Sequence, residues 1–460
     1  MIRLANIVVR LPTISVFLIL AAAAIGASGA NWPAWRGPDG SGVAQETNLP
    51  LHWSTNQNVR WSVPLPGPGN STPIVWGDKV FITQAIEKDH LRRVMCFSRR
   101  NGELLWQAGT GWAEKEQGGA SNPPCSPSPV TDGECVVAWF GSAGVYCYDL
   151  AGHELWRRDL GRQSHVWGYA ASPVLYGDLV LLNFGPGPRC FVIAMEKKTG
   201  QTVWQHDVPP IGPDAKWEDF GGTLEEWKQL GSPKVADVSG SCATPLLVHT
   251  GERDELVVAF ELRVLALAPR TGEQLWLCAS PNTGAYSSPC FGDGLIYLTE
   301  SGSRNMAMAI RPGGSGDVTA THRLWHSAPL ASMFCIGSPV IYEGHVYQFA
   351  SGGAAQCLDL RTGKIIWDHR LVGSSTRYSS WSSVLLAGDR LYVPNQNAAV
   401  FVLRASTNFT VLATNSMAGE RMNASLAVGN GDIFLRTYSR LWCVAEERKT
   451  GEQARLKAKD

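Results

Sequence analysis

Aromatic and arginine side chains recur in the segments that connect the apolar runs of this 460-residue sequence. Tyr, Trp and Arg are the residue types that contribute most to the binding energy of interfaces, so these segments are candidates for ligand recognition. The predicted ligand-binding rim consists of His165, Trp167, Tyr169, Arg304, Arg377, Tyr378, Trp381 and Arg421. Such residues could stack on and hydrogen-bond a peptide, a strand or a sugar. The chemistry that they favour is therefore binding.

Groups for catalysis or metal binding are sparse by comparison. Glu261 and Glu300 are the acids best placed to act as a base in the same segments. His322 and His326 are four residues apart, but in a strand, which we predict there, this spacing covers about 13 Å, too far to share a metal ion. The sequence also lacks a Gly-x-Ser-x-Gly nucleophile motif. We predict no catalytic residues and no metal site.

A repeated unit of short strands must position the rim residues. Residues 171–204 show it best: four apolar runs are separated by turn residues such as Gly177-Asp178 and Thr199-Gly200. Each run has a typical strand length, so the unit predicts a four-stranded antiparallel meander, with strands A to D from the inside outwards. Strand A begins after Ser/Thr-Pro or a degenerate copy at Pro73, Pro129, Pro173, Pro245, Pro289, Pro339, Ser383 and Ala424. Four strands repeated every 40–50 residues or so indicate an all-β fold, an eight-bladed β-propeller.

A Gly-x-x-x-Trp motif ends most of the units. It is complete at Gly102/Trp106, Gly152/Trp156, Gly200/Trp204, Gly272/Trp276 and Gly363/Trp367. Trp325 ends the fifth unit without the Gly, and in the seventh we assign the two places to Asn408 and Leu412. Blades diverge outwards, so the outermost strand needs the largest side chain. Strand C is predicted to have a small residue at one register, namely Cys96, Cys147, Ala194, Ala266, Ala309, Cys357, Val402 and Cys443.

The eighth unit has no tryptophan of its own, because Arg455 stands in that place. Arg60-Trp61-Ser62-Val63 has the tryptophan but no blade before it. A strand packed against the neighbouring blade needs the bulky residue, and an Arg would leave a gap and a charge. We therefore predict that residues 59–63 pair antiparallel with residues 441–445 and close the ring as strand D of blade eight.

The two faces of the ring should differ. The A-to-B and C-to-D turns are short and share one end of every blade, which we call the tight-turn face. The D-to-A and B-to-C connections share the other, the loop-rich face, and two of them are long, residues 109–124 and 207–240. The second has a capping box at Thr223–Glu226, which predicts a helical insert on this rim, anchored by Trp217, Phe220 and Trp227. Function is expected on the loop-rich face.

The ends of the chain predict export. Residues 1–30 combine Arg3 and Arg10, an apolar stretch from 14 to 25, and Ser28-Gly29-Ala30, as in a signal peptide, with an uncleaved anchor as the alternative. We then expect an extended arm over residues 31–57, the propeller over 58–447 and a charged tail over 448–460. The protein should be periplasmic or secreted, without a transmembrane span after signal removal. Forty basic and forty acidic residues cancel, which argues against nucleic acid as a partner.

Eleven cysteines in an exported chain would ordinarily indicate disulfides, but the number is odd. The four at the strand-C register are interpreted as small buried hydrophobic residues. The pairing of Cys125, Cys242, Cys290 and Cys335, which lie near the starts of strand A, stays open.

The repeat resembles the PQQ-like (pyrroloquinoline-quinone-type) β-propeller family over about residues 58–447. The resemblance is carried by the Ser-Pro-x-x-x-Gly-Asp starts and the Thr-Gly-x-x-x-Trp ends, and residues 358–363 are a full Leu-Asp-Leu-Arg-Thr-Gly copy. One branch, the BamB-like propellers, consists of scaffolds without a cofactor. Another, the quinoprotein alcohol dehydrogenases, binds PQQ and calcium in the central funnel. The Trp-Arg-Gly-Pro-Asp-Gly segment at Trp35 is similar to a third group of exported PQQ-like repeat proteins.

The resemblance implies two functions. Quinoprotein dehydrogenases need a stacking aromatic, cations for the tri-anionic quinone and oxygen ligands for calcium, and they stack a vicinal Cys-Cys disulfide on the cofactor. No Cys-Cys pair exists in this sequence. We therefore expect a monomeric, non-catalytic binding or scaffold propeller that recognises a protein, peptide or carbohydrate partner and has no cofactor. The alternative is a PQQ-dependent oxidoreductase, similar to an alcohol or sugar dehydrogenase, with PQQ and calcium.

Overall fold

The structure, a computed structural model, describes residues 31–119, 121–208, 223, 225, 240–280, 286–299, 306–326, 335–371 and 381–446. The predicted signal peptide and the predicted charged tail lie outside the described residues. So does most of the predicted insert at 207–240, including its expected anchors Trp217, Phe220 and Trp227. None of the helices in this described part has the length and hydrophobicity of a membrane span.

Eight antiparallel sheets, each ordered A-B-C-D, are arranged around an axis, as predicted. The arm contributes β1 (Val43–Ala44), and β2 (Val59–Pro64) follows it. Blades one to four consist of β3 (Ile74–Trp76), β4 (Lys79–Ile86), β5 (Leu91–Ser98), β6 (Leu104–Gly111); β7 (Val130–Thr131), β8 (Cys135–Trp139), β9 (Val145–Asp149), β10 (Glu154–Arg158); β11 (Val174–Tyr176), β12 (Leu179–Phe184), β13 (Phe191–Glu196), β14 (Thr202–Asp207); β15 (Leu246–His249), β16 (Asp254–Phe260), β17 (Arg263–Leu267) and β18 (Gln274–Ala279).

Blades five to eight complete the ring, and β2 supplies the last outer strand. They consist of β19 (Cys290–Gly292), β20 (Leu295–Thr299), β21 (Ala307–Ile310), β23 (Arg323–His326); β24 (Val340–Tyr342), β25 (His345–Ala350), β26 (Ala354–Asp359), β27 (Ile365–Arg370); β28 (Leu385–Ala387), β29 (Arg390–Pro394), β30 (Ala399–Arg404), β31 (Val411–Ser416); β32 (Ala427–Gly429), β33 (Asp432–Arg436) and β34 (Arg440–Val444). The short β22 (Gly316–Asp317) adds to β18 in parallel. Three-residue 3₁₀ helices occupy Glu87–Asp89, Gly141–Ala143 and Ser351–Gly353.

The segment around His322 differs from the predicted strand. Residues Thr319–His322 form a short helix, α1, and only the four residues after it form β23. The Asp317 carboxylate accepts a 2.9 Å hydrogen bond from Thr319 N–H, which satisfies a donor that the start of a helix leaves free. Among the described residues, no group of three or more His, Cys, Asp or Glu side chains could hold a metal ion.

The small residue of strand C lies opposite the strand-D tryptophan in seven blades, as in the pair Cys96 and Trp106. Six of these indoles donate to a carbonyl oxygen in the C-to-D turn of the next blade, at 2.7–3.1 Å. The glycine of that turn lies under the ring, where a Cβ would be only 2.5–2.7 Å from an indole carbon, at Gly102, Gly152, Gly200, Gly272 and Gly363. The Gly and the Trp of the motif therefore belong to two successive contacts between blades.

The predicted closure is confirmed. Strand β2 pairs antiparallel with β34, and Trp61 lies opposite Cys443. Trp61 is 8% exposed, packs on Phe434 with ring centroids 6.1 Å apart and donates to Arg99 O at 2.8 Å in blade one. Trp106, which we expected to be equally buried, is more exposed than Trp61.

The arm crosses the axis on the tight-turn face. Trp32 exchanges two 2.8 Å backbone hydrogen bonds with Val75 of blade one, and Pro33 O accepts from Thr131 N–H of blade two. On the other side of the axis, β1 adds in parallel to β28, strand A of blade seven. The chain then runs outwards between blades seven and eight, where Glu46 accepts from Gly431 N–H, before it enters β2. The arm therefore connects blades on opposite sides of the ring.

Blade seven has no tryptophan in strand D, and the arm supplies one. Ala413, and not Leu412 as predicted, lies opposite Val402, because the C-to-D connection is one residue longer than in blade six: Ala413 comes 11 residues after Val402, whereas Trp367 comes 10 residues after Cys357. Trp53 of the arm stacks on Tyr392 of strand B with centroids 6.3 Å apart, close to the 6.1 Å between Trp367 and Tyr347 in blade six. Trp53 is 3% exposed. It therefore fills the space that Ala413 leaves.

All eleven cysteines lie within the described residues, where they are buried and form no disulfide bond. This confirms our interpretation of the strand-C cysteines as small hydrophobic residues. The four cysteines whose pairing was open form no disulfide bond in this part of the chain either. Burial raises the pKa of the Cys242, Cys290 and Cys335 thiols to about 12, so these thiols stay protonated at neutral pH.

Candidate functional site on the loop-rich face

The structure separates the predicted rim residues into three groups. Arg304, Arg377 and Tyr378 lie outside the described residues. His165 and Tyr169 are buried, at 8% and 3% exposure, and so they support the rim instead of forming its surface. Trp167, Trp381 and Arg421 stay accessible in part. Arg421 is exposed and lies over the Tyr438 ring at 5.6 Å, and Trp381 lines a cavity on the axis.

Trp167 is the most accessible of the predicted aromatic residues that the structure describes. It is 52% exposed, and its neighbour Val166 is 66% exposed. Every other large, exposed hydrophobic side chain in the described part of the chain lies on an outer strand D, so this pair is alone in a loop. An apolar pair on an exposed loop is a feature of interaction sites.

The backbone beneath Trp167 is firmly held. Asn122 donates to Trp167 O at 2.7 Å, and Gly168 N–H donates to His165 O at 2.8 Å. Tyr169 packs on Trp139 with ring centroids 5.0 Å apart, and its hydroxyl accepts from Cys125 N–H at 3.2 Å. The loop therefore presents its indole from a fixed base, which reduces the entropy lost on binding.

A buried ion pair fixes the other long connection of this region, residues 109–124. The Glu116 carboxylate accepts from Arg92 Nη2 at 3.3 Å and from Ser142 N–H at 3.1 Å, and both ionic side chains are at most 4% exposed. Burial raises the pKa of Glu116, although Arg92 acts against this shift. Sequence analysis did not single out this pair, because its members are 24 residues apart and belong to no motif. Its role is to hold the loop.

Between these connections is a groove of about 620 Å³ at the rim of blades one and two. Trp112 and Tyr146 contribute aromatic surface, and Arg157, Arg158 and Arg162 contribute positive charge. Arg162 forms an ion pair with Glu114 across it. The Nε1 atom of Trp112 is buried and has no hydrogen-bond partner among the described residues. Aromatic rings beside guanidinium groups suit a polypeptide surface.

On the axis, a ring of eight hydroxyl groups connects all eight blades. In each blade, the hydroxyl oxygen of the Ser or Thr just before strand A accepts a hydrogen bond from a backbone N–H of the preceding blade, at 2.8–3.0 Å. The series closes with the bond from Ser425 N–H to Thr72 Oγ1. The members are Thr72, Ser128, Ser172, Thr244, Ser288, Ser338, Ser383 and Ser425. Sequence analysis missed this ring, although the Ser or Thr before each strand-A Pro was the signal for it.

The ring lines an axial cavity of about 90 Å³ on the loop-rich side, which Trp35 of the arm bounds. Trp381 and Asn70 belong to its lining, and Trp381 Nε1 and Asn70 Oδ1 are buried without hydrogen-bond partners among the described residues. The described lining is polar but has no Lys, Arg, Asp or Glu. This cavity therefore suits a small uncharged group or water.

This lining does not fit PQQ with calcium. A tri-anionic quinone needs cationic partners and calcium needs several converging oxygen ligands that include carboxylates, but the described lining provides indoles, hydroxyls and neutral amides without a charged side chain. The cavity is also smaller than the roughly 300–1,000 Å³ of usual ligand pockets. Of the acids that we proposed as a base, Glu300 lies outside the described residues, and Glu261 is absent from this lining.

We expect purified protein to retain no stoichiometric PQQ. Protein incubated with PQQ and calcium chloride and then desalted should lack the quinone absorbance, because the described lining of the axial cavity has no cationic partner for the carboxylates. A parallel incubation with EDTA is the control. One retained quinone per chain that EDTA removes would contradict this prediction.

Glu261 is nevertheless an unusual acid. It lies in the B-to-C turn of blade four, where burial disfavours the carboxylate and raises the pKa from 4.5 to about 7. The native state therefore binds this proton more tightly than the unfolded chain. Its contribution to stability is present at low pH and is lost as the pH rises from about 4.5 to about 7.

Glu261→Gln should flatten this part of the stability profile. The free energy of unfolding above pH 7 should rise by about 1–3 kcal/mol relative to the native sequence, with little change near pH 4. Urea unfolding between pH 4 and 8 measures this difference, and Glu252→Gln at an exposed site in the same blade is the control. Parallel profiles for Glu261→Gln and the native sequence would show that the carboxylate is not destabilising.

Comparison with known proteins gives one family. A family model described as outer membrane protein assembly factor BamB matches residues 90–332 and 264–459. BamB from Salmonella typhimurium is 34% identical over 98 residues, and BamB from Yersinia pestis is 30% identical over 104 residues. Each alignment covers 21% of this chain and 23% or 25% of the relative, so the chain matches about a quarter of the length of these proteins.

Two solved structures show the same fold at low sequence identity. BamB from Moraxella catarrhalis has a TM-score of 0.54 and 15% identity, over 83% of this chain and 98% of that chain. Quinohemoprotein alcohol dehydrogenase from Comamonas testosteroni has a TM-score of 0.64 and 11% identity, over 93% and 82%. These likenesses concern architecture, whereas the family model matches most of the sequence. The chain therefore belongs to the BamB family of PQQ-like β-propellers, as the sequence motifs predicted.

Proposed function

We propose that this protein is an exported, non-catalytic scaffold that binds a protein partner through its loop-rich face. The observation that carries the proposal is the exposed Val166–Trp167 pair on a firmly held loop, which we call the Trp167 patch. The curated relatives are described as outer membrane protein assembly factors, and this description supports a protein ligand and a periplasmic location.

A protein ligand suits the chemistry of this region better than a sugar or a cofactor. The Trp167 patch is apolar, and a half-exposed indole gains most when a partner's apolar surface covers it. The neighbouring groove adds Trp112, Tyr146 and three arginines, the residue types that are enriched at interface centres. The axial cavity, in contrast, has room for only a small group.

Site-specific photo-crosslinking in the native host tests the proposal. A photoreactive phenylalanine analogue at position 167 should give one discrete protein adduct, because the native indole lies in the interface. The same analogue at position 155 is the matched control, since Leu155 is 54% exposed but lies on an outer strand.

A second change connects the patch to the groove. Arg162→Glu should reduce the adduct at position 167 at least five-fold, because it reverses a charge in the groove. Adducts of equal yield and size at positions 155 and 167, or no adduct at 167, would contradict a partner site at the Trp167 patch.

A further inference from the structure

The tight-turn face, where the sequence predicted only short turns, contains the other cavity on the axis. Its volume is about 400 Å³, within the range of small-molecule sites. Residues 33–40 of the arm form one wall, and the ends of strand A of blades one to five form the rest. We call it the arm cavity. Trp35 lines both the arm cavity and the axial cavity, so its indole stands between them.

The wall that the arm provides is fixed. Arg36 is 2% exposed and donates to Ser41 O and to Pro339 O of blade six, and Gly42 N–H donates back to Arg36 O at 2.9 Å. Together with the Trp32–Val75 pair, these bonds attach both ends of the wall to the propeller. The arm cavity is therefore a preformed site, which binds a ligand without first paying the entropy of ordering a loop.

Apolar side chains dominate the lining. Trp35, Trp76, Leu175 and Leu247 are all half-buried, so each keeps apolar surface that a ligand could remove from water. Indoles and leucines of this kind favour a flat or aromatic molecule.

The charged groups at the cavity already have partners. Asp132 accepts from Lys197 Nζ at 2.5 Å, and Asp39 accepts from Ser41 N–H and Oγ–H at 3.1 and 2.6 Å. A cationic ligand would have to compete with these bonds, and an anionic ligand would be repelled by both carboxylates. The lining thus favours a ligand without charge.

Two hydroxyls give the inner end of the arm cavity a polar contact. Thr244 and Ser288 of the hydroxyl ring belong to its lining. Their oxygens accept the N–H groups of Ser172 and Thr244 at 2.9 and 2.8 Å, so their own protons are the groups left to donate. A ligand should therefore have a hydrogen-bond acceptor at the end that points along the axis.

We propose that the arm cavity binds a small uncharged apolar molecule, with an aromatic or similarly flat body and an acceptor oxygen at one end. This site is independent of the proposed partner surface, because the two lie on opposite faces of the ring.

Prodan, an uncharged naphthyl ketone whose emission depends on polarity, is a suitable probe. Titration into the full-length protein should give saturable binding at one site per chain with a blue-shifted emission. Leu175→Asp and Leu247→Asp should each weaken this binding at least ten-fold, because each places a carboxylate in the apolar wall. Leu155→Asp replaces a leucine that is 54% exposed on an outer strand, so it should leave binding unchanged.

Thermal unfolding of each variant shows whether the fold is kept. Because two wall variants are made, the test can still be carried out if one of them misfolds. If either folds, its affinity decides the matter. If neither folds, Trp35→Leu replaces them and should weaken binding at least three-fold. Absence of saturable binding to the native sequence, unchanged affinity in the folded wall variants, or an equal loss in Leu155→Asp would overturn the proposal.

Discussion

Replacing Trp61 by Ala is expected to lower the free energy of unfolding by about 3–5 kcal/mol, as for other buried aromatic residues. The indole is 8% exposed, packs on Phe434 and donates to Arg99 O in blade one. The change therefore removes apolar contacts within blade eight and a hydrogen bond to the next blade at the point where the ring closes. Urea unfolding followed by circular dichroism measures the loss.

Truncation after Glu447 is the matched comparison, because it removes the segment that would compete with β2 for the outer place in blade eight. The closing pairs run from Val59 with Val444 to Pro64 with Arg440, and Ala445 N–H donates to Asn58 O, so all these contacts lie before the truncation point. Truncation should therefore change the free energy of unfolding by less than about 1 kcal/mol. A truncated chain that unfolds, together with a stable Trp61→Ala variant, would place the closure at the other end of the chain.

Trp53→Ala should be about as costly, at 3–5 kcal/mol, although Trp53 is far from blade seven in sequence. Its ring is 3% exposed and lies on Tyr392, and its backbone N–H donates to Asn415 Oδ1 at 2.9 Å. Trp35→Ala in the same arm is the control, and it should cost less than half as much because Trp35 is half-buried.

A rescue experiment identifies the reason for the loss. Ala413 lies where the other blades have their tryptophan, so Ala413→Trp alone should overpack the site and destabilise the protein by about 1–3 kcal/mol. In the Trp53→Ala background the same change should restore stability, because only one indole then fills the space. Additive losses in the double variant would show that the two side chains do not share one place.

The fold was predictable because its determinants are local and repeated. A Gly-Asp turn or a Thr-Gly turn specifies a reversal within a few residues, and each recurrence confirmed the register of the others. Closure by Trp61 could also be predicted, since the segment around Trp61 has the pattern of an outer strand without a blade, and blade eight has no outer strand with a Trp of its own. Trp53 was missed because nothing near Trp53 in the sequence indicates that blade seven, more than 330 residues later, has Ala413 in the outer place.

The site was less predictable, because residue type does not show the direction in which a loop side chain points. His165, Trp167 and Tyr169 alternate within five residues, and yet only Trp167 is exposed. Tyr169 is buried because Trp139 and Cys125 lie beneath it, and both belong to other strands or connections of blade two. The Ser or Thr residues of the hydroxyl ring are visible in the sequence, six of them directly before a strand-A Pro. Their closed series of hydrogen bonds forms only when all eight blades are arranged around the axis.

The pairing of β2 with β34 has a consequence for the order in which the protein can form. Ser62 and Arg440 are hydrogen-bonded across 378 residues of chain. At about 5–20 residues per second, a ribosome needs roughly 20–75 s to make the second of these residues after the first. During that time β2 has no native strand to pair with, although it is synthesised before any blade. The earliest part of the propeller to be made is thus the last that can be completed, and the open ring must persist until its final blade arrives.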